Sequence, residues 1–232
     1  MLFRSDGEAL TNRRTAAASA LASDYLSRVD SRTLLIVGTG HLAPHLVAAH
    51  CAVRPIEKVL VWGRNPRRAL ALADTLVQQG VNAASAADLA EALPLADIVS
   101  CATTSTEPLI KGALLRPGTH LDLVGAFTAQ MRESDDDAVL RSRVFVDTYA
   151  GALAEAGDLL QPIAAGSWSA ERICGDLHEL TIGTKQGRLG RNDITLFKSV
   201  GAAIEDLTAA SLLANPSSLL QSPKRGRTTT KD

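Results

Sequence analysis

The residues best placed to do chemistry in this 232-residue sequence are the glycines of the turn Gly38-Thr39-Gly40, with Ala43 three residues further on. Four apolar residues lead directly into the turn, and a helix-length segment follows it. In such a strand-turn-helix the first glycine permits a tight turn, the second lets a pyrophosphate approach bare backbone, and the small third residue allows close packing. The helix, expected to begin near His41, would offer the pyrophosphate unpaired N–H groups and a positive dipole end. The alternative is an incidental glycine turn, but the spacing favours a dinucleotide site.

The end of the second predicted strand, at 59–62, indicates which dinucleotide binds. An NAD enzyme places an Asp or Glu there to accept hydrogen bonds from the ribose hydroxyls. This chain has Gly63-Arg64-Asn65-Pro66-Arg67-Arg68 instead, with no carboxylate to repel a 2′-phosphate and three arginines to bind one. Arg67 and Arg68 could also be ordinary surface residues of the next helix. We expect NADPH as the cofactor, with NADP preferred over NAD.

The elements that position these residues alternate between short apolar runs and helix-length segments as far as about residue 160. This alternation predicts an α/β protein with a Rossmann-type, doubly wound and mostly parallel sheet. Ligands of such sheets lie beyond the carboxyl ends of the strands. Thr103 follows one predicted strand, and Val124, Gly125 and Ala126 end another, so we expect these residues to face the cofactor. Hydroxyl-rich loops such as that of Thr103 are also common turn formers.

Three other segments carry expectations about local structure. The alanine-rich segment 10–29 predicts a helix whose first turn holds Thr11, Arg13, Arg14 and Thr15, which by themselves suggest an N-cap threonine and solvated arginines. The acidic run 133–137 is expected to open a helix, where its charges suit the positive dipole end. A metal site there is disfavoured, because adjacent acids on a helix point in different directions. Beyond about residue 161 the pattern becomes looser and bears glycine.

Composition excludes several classes of function. A formal net charge of -1, without a basic face interleaved with aromatic residues, gives no indication of nucleic-acid binding. No apolar run approaches the ~18–20 residues of a membrane span, and no signal segment precedes the first helix, so we expect a soluble, cytoplasmic protein. Cys51, Cys101 and Cys174 form no C-x-x-C pair, which favours buried thiols over a disulfide or a zinc site.

The sequence resembles the ornithine cyclodeaminase and mu-crystallin family from about residue 7 to residue 211. The matching stretches are Leu10-Thr11 with Arg14-Thr15-Ala16-Ala17, Gly38-Thr39-Gly40, Gly125-Ala126-Phe127-Thr128 with Met131-Arg132-Glu133, Glu155-Ala156-Gly157-Asp158, and Thr195-Leu196-Phe197-Lys198-Ser199-Val200-Gly201 with Glu205-Asp206. The resemblance implies that Arg14 binds the substrate carboxylate beside the nicotinamide, which makes it the expected catalytic residue rather than a solvated one. It also implies that Ser199 and Val200 approach nicotinamide and substrate.

From the residues and the resemblance together we expect a defined set of contacts and no metal. Substrate contacts are expected from Arg14 and Val200. Cofactor contacts are expected from Thr15, Gly38, Gly40, His41, Leu42, Arg64, Asn65, Arg68, Thr103, Val124, Gly125, Ala126 and Ser199. The proton donor is not identified, because His41 and His120 are each more typical of structural histidines.

Two departures from the family pattern matter. Cyclodeaminases carry an aspartate where this chain has Phe127, and the loop resembles that of the family's cyclic-imine reductases, with Ala129 in place of their usual proline. Family members also have roughly a further half-domain before the position of Met1. We therefore expect either a truncated reading of a longer gene or a reduced relative that keeps the cofactor domain.

The expected organisation is a helix and remnant of a substrate and dimerisation domain (1–30), a Rossmann domain (31–160), a return segment to the substrate domain (161–216) and a disordered tail (217–232). The expected activity is NADPH-dependent reduction of Δ1-pyrroline-2-carboxylate to proline and Δ1-piperideine-2-carboxylate to pipecolate. The alternatives are NAD-dependent ornithine cyclodeamination and a non-catalytic, NADPH-binding protein like mu-crystallin. The partner is a small cyclic imino acid, and a homodimer is implied for full-length family members.

Overall fold

The computed structural model describes residues 6–214, and its strands form one sheet in which every pair is parallel. The strands are β1 (Thr33–Val37), β2 (Lys58–Trp62), β3 (Ala83–Ser85), β4 (Ile98–Cys101), β5 (His120–Leu123), β6 (Ser142–Val146), β7 (Ile173–Asp176) and β8 (Ile194–Lys198). Their spatial order is β3-β2-β1-β4-β5-β8-β6-β7, so the direction of winding reverses between β1 and β4. This is the predicted Rossmann-type α/β fold.

Helices cover both faces of the sheet, which explains why β1 is apolar at successive positions. Leu34 and Ile36 pack with residues of α2 and α3, whereas Leu35 and Val37 belong to the cluster on the opposite face. The helices are α1 (Gly7–Leu26), α2 (Ala43–Val53), α3 (Pro66–Gln78), α4 (Leu89–Ala92), α5 (Asp136–Leu140), α6 (Tyr149–Glu155), α7 (Gly157–Ala164), α8 (Leu177–Thr181) and α9 (Ala203–Ala214). Across residues 6–214, no helix has both the length and the apolar character needed to cross a membrane.

The first helix begins earlier than predicted. Asp6 is its N-cap, with a carboxylate that accepts hydrogen bonds from the backbone N–H groups of Glu8 and Ala9. Arg13 and Arg14 therefore lie beyond the first turn, and the prediction that they adjoin the helix N-terminus is wrong. A helix dipole acts mainly on its terminal turns, so Arg14 depends on other partners.

The acidic run 133–137 does not open a helix as a unit. Asp135 is the N-cap of α5 and accepts a hydrogen bond from Ala138 N–H, so only Asp136 and Asp137 lie in the first turn. Glu133 precedes the cap and is fully buried. The prediction is therefore wrong for Glu133, because this residue lies outside α5 and is not a surface acid stabilised by the helix dipole.

Segment 161–216, predicted as a return segment, contributes two strands to the sheet. β8 lies between β5 and β6, and β7 forms the edge beyond β6. The described part of this segment also contains α8, which Asp176 and Glu179 begin with a reciprocal capping box. The predicted disordered tail, 217–232, lies outside the described residues.

A buried polar group on β5 makes stability depend on pH. His120 and Asp122 lie on the same face of the strand and are both fully buried. The His120 ring bonds the Thr195 hydroxyl through Nδ1 at 3.0 Å, while its Nε2 has no partner in the described structure. Burial lowers the pKa of His120 to about 3, although Asp122 opposes the shift. Neutral His120 therefore stabilises the fold above its unfolded pKa of about 6.5, and that contribution is lost as the pH falls towards 3.

Replacing His120 with glutamine should remove part of this acid sensitivity. Between pH 6.5 and pH 5 the free energy of unfolding of the wild type should fall by about 1.6 kcal/mol more than that of the variant, because only the wild type must take up a proton at position 120 on unfolding. Urea unfolding at both pH values measures the difference. His178→Gln, at an exposed position of α8, should follow the wild type. Equal pH slopes in wild type and His120→Gln would contradict this assignment.

Candidate functional site

A cavity of about 710 Å³ opens beyond the carboxyl ends of the central strands. It includes the residues that follow β1 and β4, where the winding of the sheet reverses and where parallel sheets bind ligands. Every predicted site residue except Ala126 lines it: Arg14, Thr15, Gly38, Gly40, His41, Leu42, Arg64, Asn65, Arg68, Thr103, Val124, Gly125, Ser199 and Val200. Ala126 is fully buried, with a backbone φ of 47°, and the cavity does not reach it.

The glycine turn has the geometry that close backbone approach requires. Gly38 has φ of 121°, and its N–H donates to the Trp62 carbonyl at 2.9 Å. A Cβ at this position would overlap the carbonyl oxygen of Ala102. Gly40 differs, because a Cβ there would meet no atom within 4 Å and would project into open space. The turn thus joins β1 closely to β4 while leaving bare backbone at the cavity.

The N-terminus of α2 adjoins the same turn and has no side-chain cap. Ala43 N–H already donates to the Gly40 carbonyl, and Pro44 has no N–H. The N–H groups of His41 and Leu42 have no partner within the described residues and are therefore available to an anion, with support from the helix dipole. With Gly40 beside them, these groups form a cradle that suits the pyrophosphate of a dinucleotide. This chain's own residues thus fit such a cofactor.

The end of β2 contributes two of the cavity's three arginines. Arg64 and Arg68 line the cavity, whereas Arg67 does not. The Asn65 side chain accepts hydrogen bonds from the backbone N–H groups of Arg67 and Arg68 and so caps α3. This cap fixes the start of the helix that carries both arginines. Within the described residues, neither Arg64 nor Arg68 forms an ion pair. Both guanidinium groups can therefore bind an anion.

Arg14 is held in place by α9. Its Nη1 lies 2.8 Å from Glu205 Oε2, and its Nε lies 3.0 Å from Asp206 Oδ1. The guanidinium also packs on Gly201, where a Cβ would stand 2.7 Å from Nη1. Burial raises the pKa of Glu205, and the ion pair with Arg14 opposes that shift. Neither ion pair uses Nη2, so Arg14 keeps donor capacity for a ligand.

Hydrogen bonds to Asp147 hold the loop after β8 in place. One carboxylate oxygen of Asp147 accepts hydrogen bonds from the N–H groups of Val200, at 2.8 Å, and Gly201, at 2.7 Å. This contact orients the predicted substrate residue Val200 towards the cavity that Arg14 also lines. Residues from opposite ends of the chain thereby meet at one place.

The cavity lining is basic and lacks acids. Among its described residues there is no Asp, Glu, Lys, Cys or Tyr, so the titratable groups are the three arginines and His41. His41 is mostly exposed and pairs with Glu8 at 2.5 Å. Such a lining can bind and orient a polyanion and a carboxylate, but it places no buried general acid in direct contact with a ligand.

Several lining residues were not assigned a contact from the sequence: Thr11, Asn12, Thr39, Trp62, Gly63, Ala102, Thr104, Leu109, Phe127 and Gly201. Most of them flank a residue that was assigned, so the strand-end rule could have included them. Glu205 and Asp206 belong to a matching stretch of the family, yet their contact with Arg14 spans 191 residues of sequence and had no local signal.

Comparisons with known proteins find the family that the sequence resembles. A model of the ornithine cyclodeaminase/mu-crystallin family matches residues 2–218. Delta(1)-pyrroline-2-carboxylate reductase of Paracoccus denitrificans is 45% identical over 210 residues, which are 90% of this chain and 66% of that protein. Protein SAR DEFICIENT 4 of Arabidopsis thaliana is 47% identical over 213 residues, 90% of this chain and 65% of its own length.

Two solved structures are also similar. Δ1-Pyrroline-2-carboxylate reductase of Thermococcus litoralis, in complex with NADH and L-proline, has a TM-score of 0.87 and 39% identity, covering 92% of this chain and 66% of that one. The iminosuccinate reductase of Paracoccus denitrificans, in complex with NAD+, has a TM-score of 0.83 and 30% identity over the same shares. This chain spans about two thirds of the length of these relatives.

Proposed function

This chain belongs to the ornithine cyclodeaminase/mu-crystallin family, and we propose that it binds a reduced nicotinamide dinucleotide and reduces a cyclic imino acid. The substrates proposed are Δ1-pyrroline-2-carboxylate and Δ1-piperideine-2-carboxylate, which give proline and pipecolate. The observation that carries the proposal is the acid-free cavity with Gly40, Arg14 and Arg68 on its walls. Relatives described as pyrroline-carboxylate reductases support the same reaction class.

The residues of this chain would act mainly by orientation. A bound reduced nicotinamide supplies the hydride that the C=N carbon accepts. Arg14, steadied by Glu205 and Asp206, would hold the substrate carboxylate through Nη2. Val200, whose backbone is held by Asp147, would limit the space available to the substrate beside Arg14. A cyclic iminium is already electrophilic, so fixed geometry is the main contribution required of the protein.

Ornithine cyclodeamination is the second candidate from the family resemblance. It requires a carboxylate near the substrate amino groups, but Phe127 stands on the cavity wall at that position. A phenyl ring accepts no proton. The absence of any acid from the described lining also counts against it, so imine reduction is the better candidate.

The test is to follow cofactor absorbance while Δ1-pyrroline-2-carboxylate or Δ1-piperideine-2-carboxylate is added to the purified chain with NADPH or NADH. Consumption of the cofactor that depends on the imine would support the reductase. Cofactor binding by thermal shift without consumption would instead support a non-catalytic binding protein. Release of ammonia from ornithine with NAD would favour cyclodeamination.

We propose that the site prefers NADPH to NADH, and Arg68 provides a test. Arg68→Ala should weaken NADPH binding about tenfold, or ~1.4 kcal/mol, and leave NADH binding unchanged, because a guanidinium would contact only the 2′-phosphate. Arg67→Ala is the matched control, since Arg67 is also exposed but does not line the cavity. Titration of cofactor fluorescence measures both constants. Equal losses for NADH and NADPH in Arg68→Ala would contradict the assigned role.

A further inference from the structure

A buried carboxyl group lies directly behind the cavity wall at the end of β4. Glu133 is fully buried, and its Oε1 accepts hydrogen bonds from Thr103 N–H at 2.6 Å and from the Thr103 hydroxyl at 2.9 Å. Glu133 also lies against Gly125, where a Cβ would stand 2.6 Å from its Cδ. Thr103 and Gly125 both line the cavity, but Glu133 does not. Thr103 and Gly125 therefore separate Glu133 from any ligand, and of the two only Thr103 has a side-chain hydroxyl that can pass on a change at Glu133.

The charges around Glu133 leave its own charge unbalanced. Lys198 is also fully buried, and its Nζ lies 3.5 Å from Asp158 Oδ2. Asp158 accepts three hydrogen bonds through Oδ1, from the N–H groups of Glu133 and Ser134 and from the Ser134 hydroxyl. The single ammonium group of Lys198 thus lies near two carboxyl groups, and Asp158 receives more hydrogen bonds than Glu133 does. The second oxygen of Glu133, Oε2, has no partner within the described residues.

We propose that Glu133 is a positioning residue that controls the hydrogen-bonding state of Thr103, an inference that rests on the dinucleotide site proposed above. When Glu133 is ionised, the single hydroxyl proton of Thr103 is donated to the carboxylate. When Glu133 is protonated at Oε1, it donates to the Thr103 oxygen instead, and the Thr103 hydroxyl is free to donate into the cavity. The Thr103 oxygen also accepts from Ser105 N–H at 3.3 Å in the present arrangement. What changes with the charge of Glu133 is therefore the group to which the Thr103 hydroxyl donates its proton.

The titration of Glu133 falls where such a switch would operate near neutral pH. Burial raises the pKa of Glu133 to about 7, with Lys198 opposing the shift and Asp158 adding to it. The neighbouring thiol of Cys101 stays neutral, because burial raises its own pKa well above the ordinary value. Raising the pH through 7 therefore ionises Glu133 and withdraws one hydrogen-bond donor from the cavity. Cofactor affinity should fall as the pH rises.

The experiment measures cofactor binding rather than turnover. NADH and NADPH are titrated against the wild-type chain by cofactor fluorescence, and the tighter ligand becomes the probe between pH 6.5 and pH 8.5. The wild-type dissociation constant should rise about three- to tenfold over this range. In Glu133→Gln it should change less than twofold, because the amide stays neutral. Glu107→Gln lies at an exposed position of the loop that carries Thr103, and this control variant should follow the wild type.

Thr103→Val is the second variant, in case the buried amide prevents folding. It removes the hydroxyl and nearly preserves the shape, so its binding should also change less than twofold with pH. Any effect of titrating the 2′-phosphate of NADPH is the same for the wild type and the variants. It therefore cancels when their dissociation constants are compared. A wild-type pH slope that persists in Glu133→Gln or Thr103→Val overturns this inference alone. If the wild type binds neither dinucleotide, the proposed function fails and the inference fails with it.

Discussion

Arg14→Ala is expected to lower kcat/KM for imine reduction by about 10²–10³-fold, or roughly 3–4 kcal/mol of transition-state stabilisation. Arg14 is the arginine that lines the cavity beside Val200, and its side chain is only 15% exposed. Removing it deletes the charge that would bind the substrate carboxylate. It also leaves Glu205 and Asp206 without their partner behind the cavity wall, and their charges would repel that carboxylate. Steady-state rates with Δ1-pyrroline-2-carboxylate measure the loss.

The neighbouring residue provides the control. Arg13 is exposed and does not line the cavity, so Arg13→Ala should keep kcat/KM within about twofold of the wild type. Dinucleotide affinity should change little in Arg14→Ala, because its expected partner is the substrate. A variant that keeps wild-type kcat/KM would refute substrate binding by Arg14. An equal loss of cofactor affinity would place Arg14 in the cofactor site instead.

Alanine substitutions at Gly38 and Gly40 should separate folding from binding. At Gly38 the new methyl group would overlap the Ala102 carbonyl in a backbone with φ of 121°, and the paired strands β1 and β4 lead directly into these two residues. Gly38→Ala should therefore cost about 3 kcal/mol or more of unfolding free energy. At Gly40 the methyl group has open space, so stability should stay within about 1 kcal/mol. Dinucleotide affinity should nevertheless fall about ten- to a hundredfold, because the methyl group occupies the approach of the pyrophosphate.

Urea unfolding and cofactor titration on both variants give the two readouts. Wild-type affinity in Gly40→Ala would show that no phosphate approaches this backbone. Wild-type stability in Gly38→Ala would show that the close contact between the ends of β1 and β4 can relax. Each result tests one glycine without reference to turnover.

Local sequence patterns were sufficient for the elements around the cavity. The apolar run before Gly38 and the glycine spacing after it correctly predicted β1, the turn and α2. Residues immediately after a parallel strand must lie at its carboxyl edge, so Thr103 and Gly125 could be brought to one cavity from their positions alone. Ser199 was expected there only from the family resemblance. The rule did not extend to Ala126, which follows Gly125 with a positive φ of 47°, is fully buried and does not line the cavity.

Tertiary structure decided the contacts between distant segments. The sequence alone predicted that Glu133 is a helix-terminal acid, whereas the fold buries it beneath Thr103, 30 residues away. It likewise joins Arg14 to Glu205 across 191 residues and inserts β8 between β5 and β6. Periodicity and turn chemistry act over a few residues, so they determine which residues end a strand. Strand order and the burial of charge depend on how the whole chain packs, and therefore determine which of those residues meet.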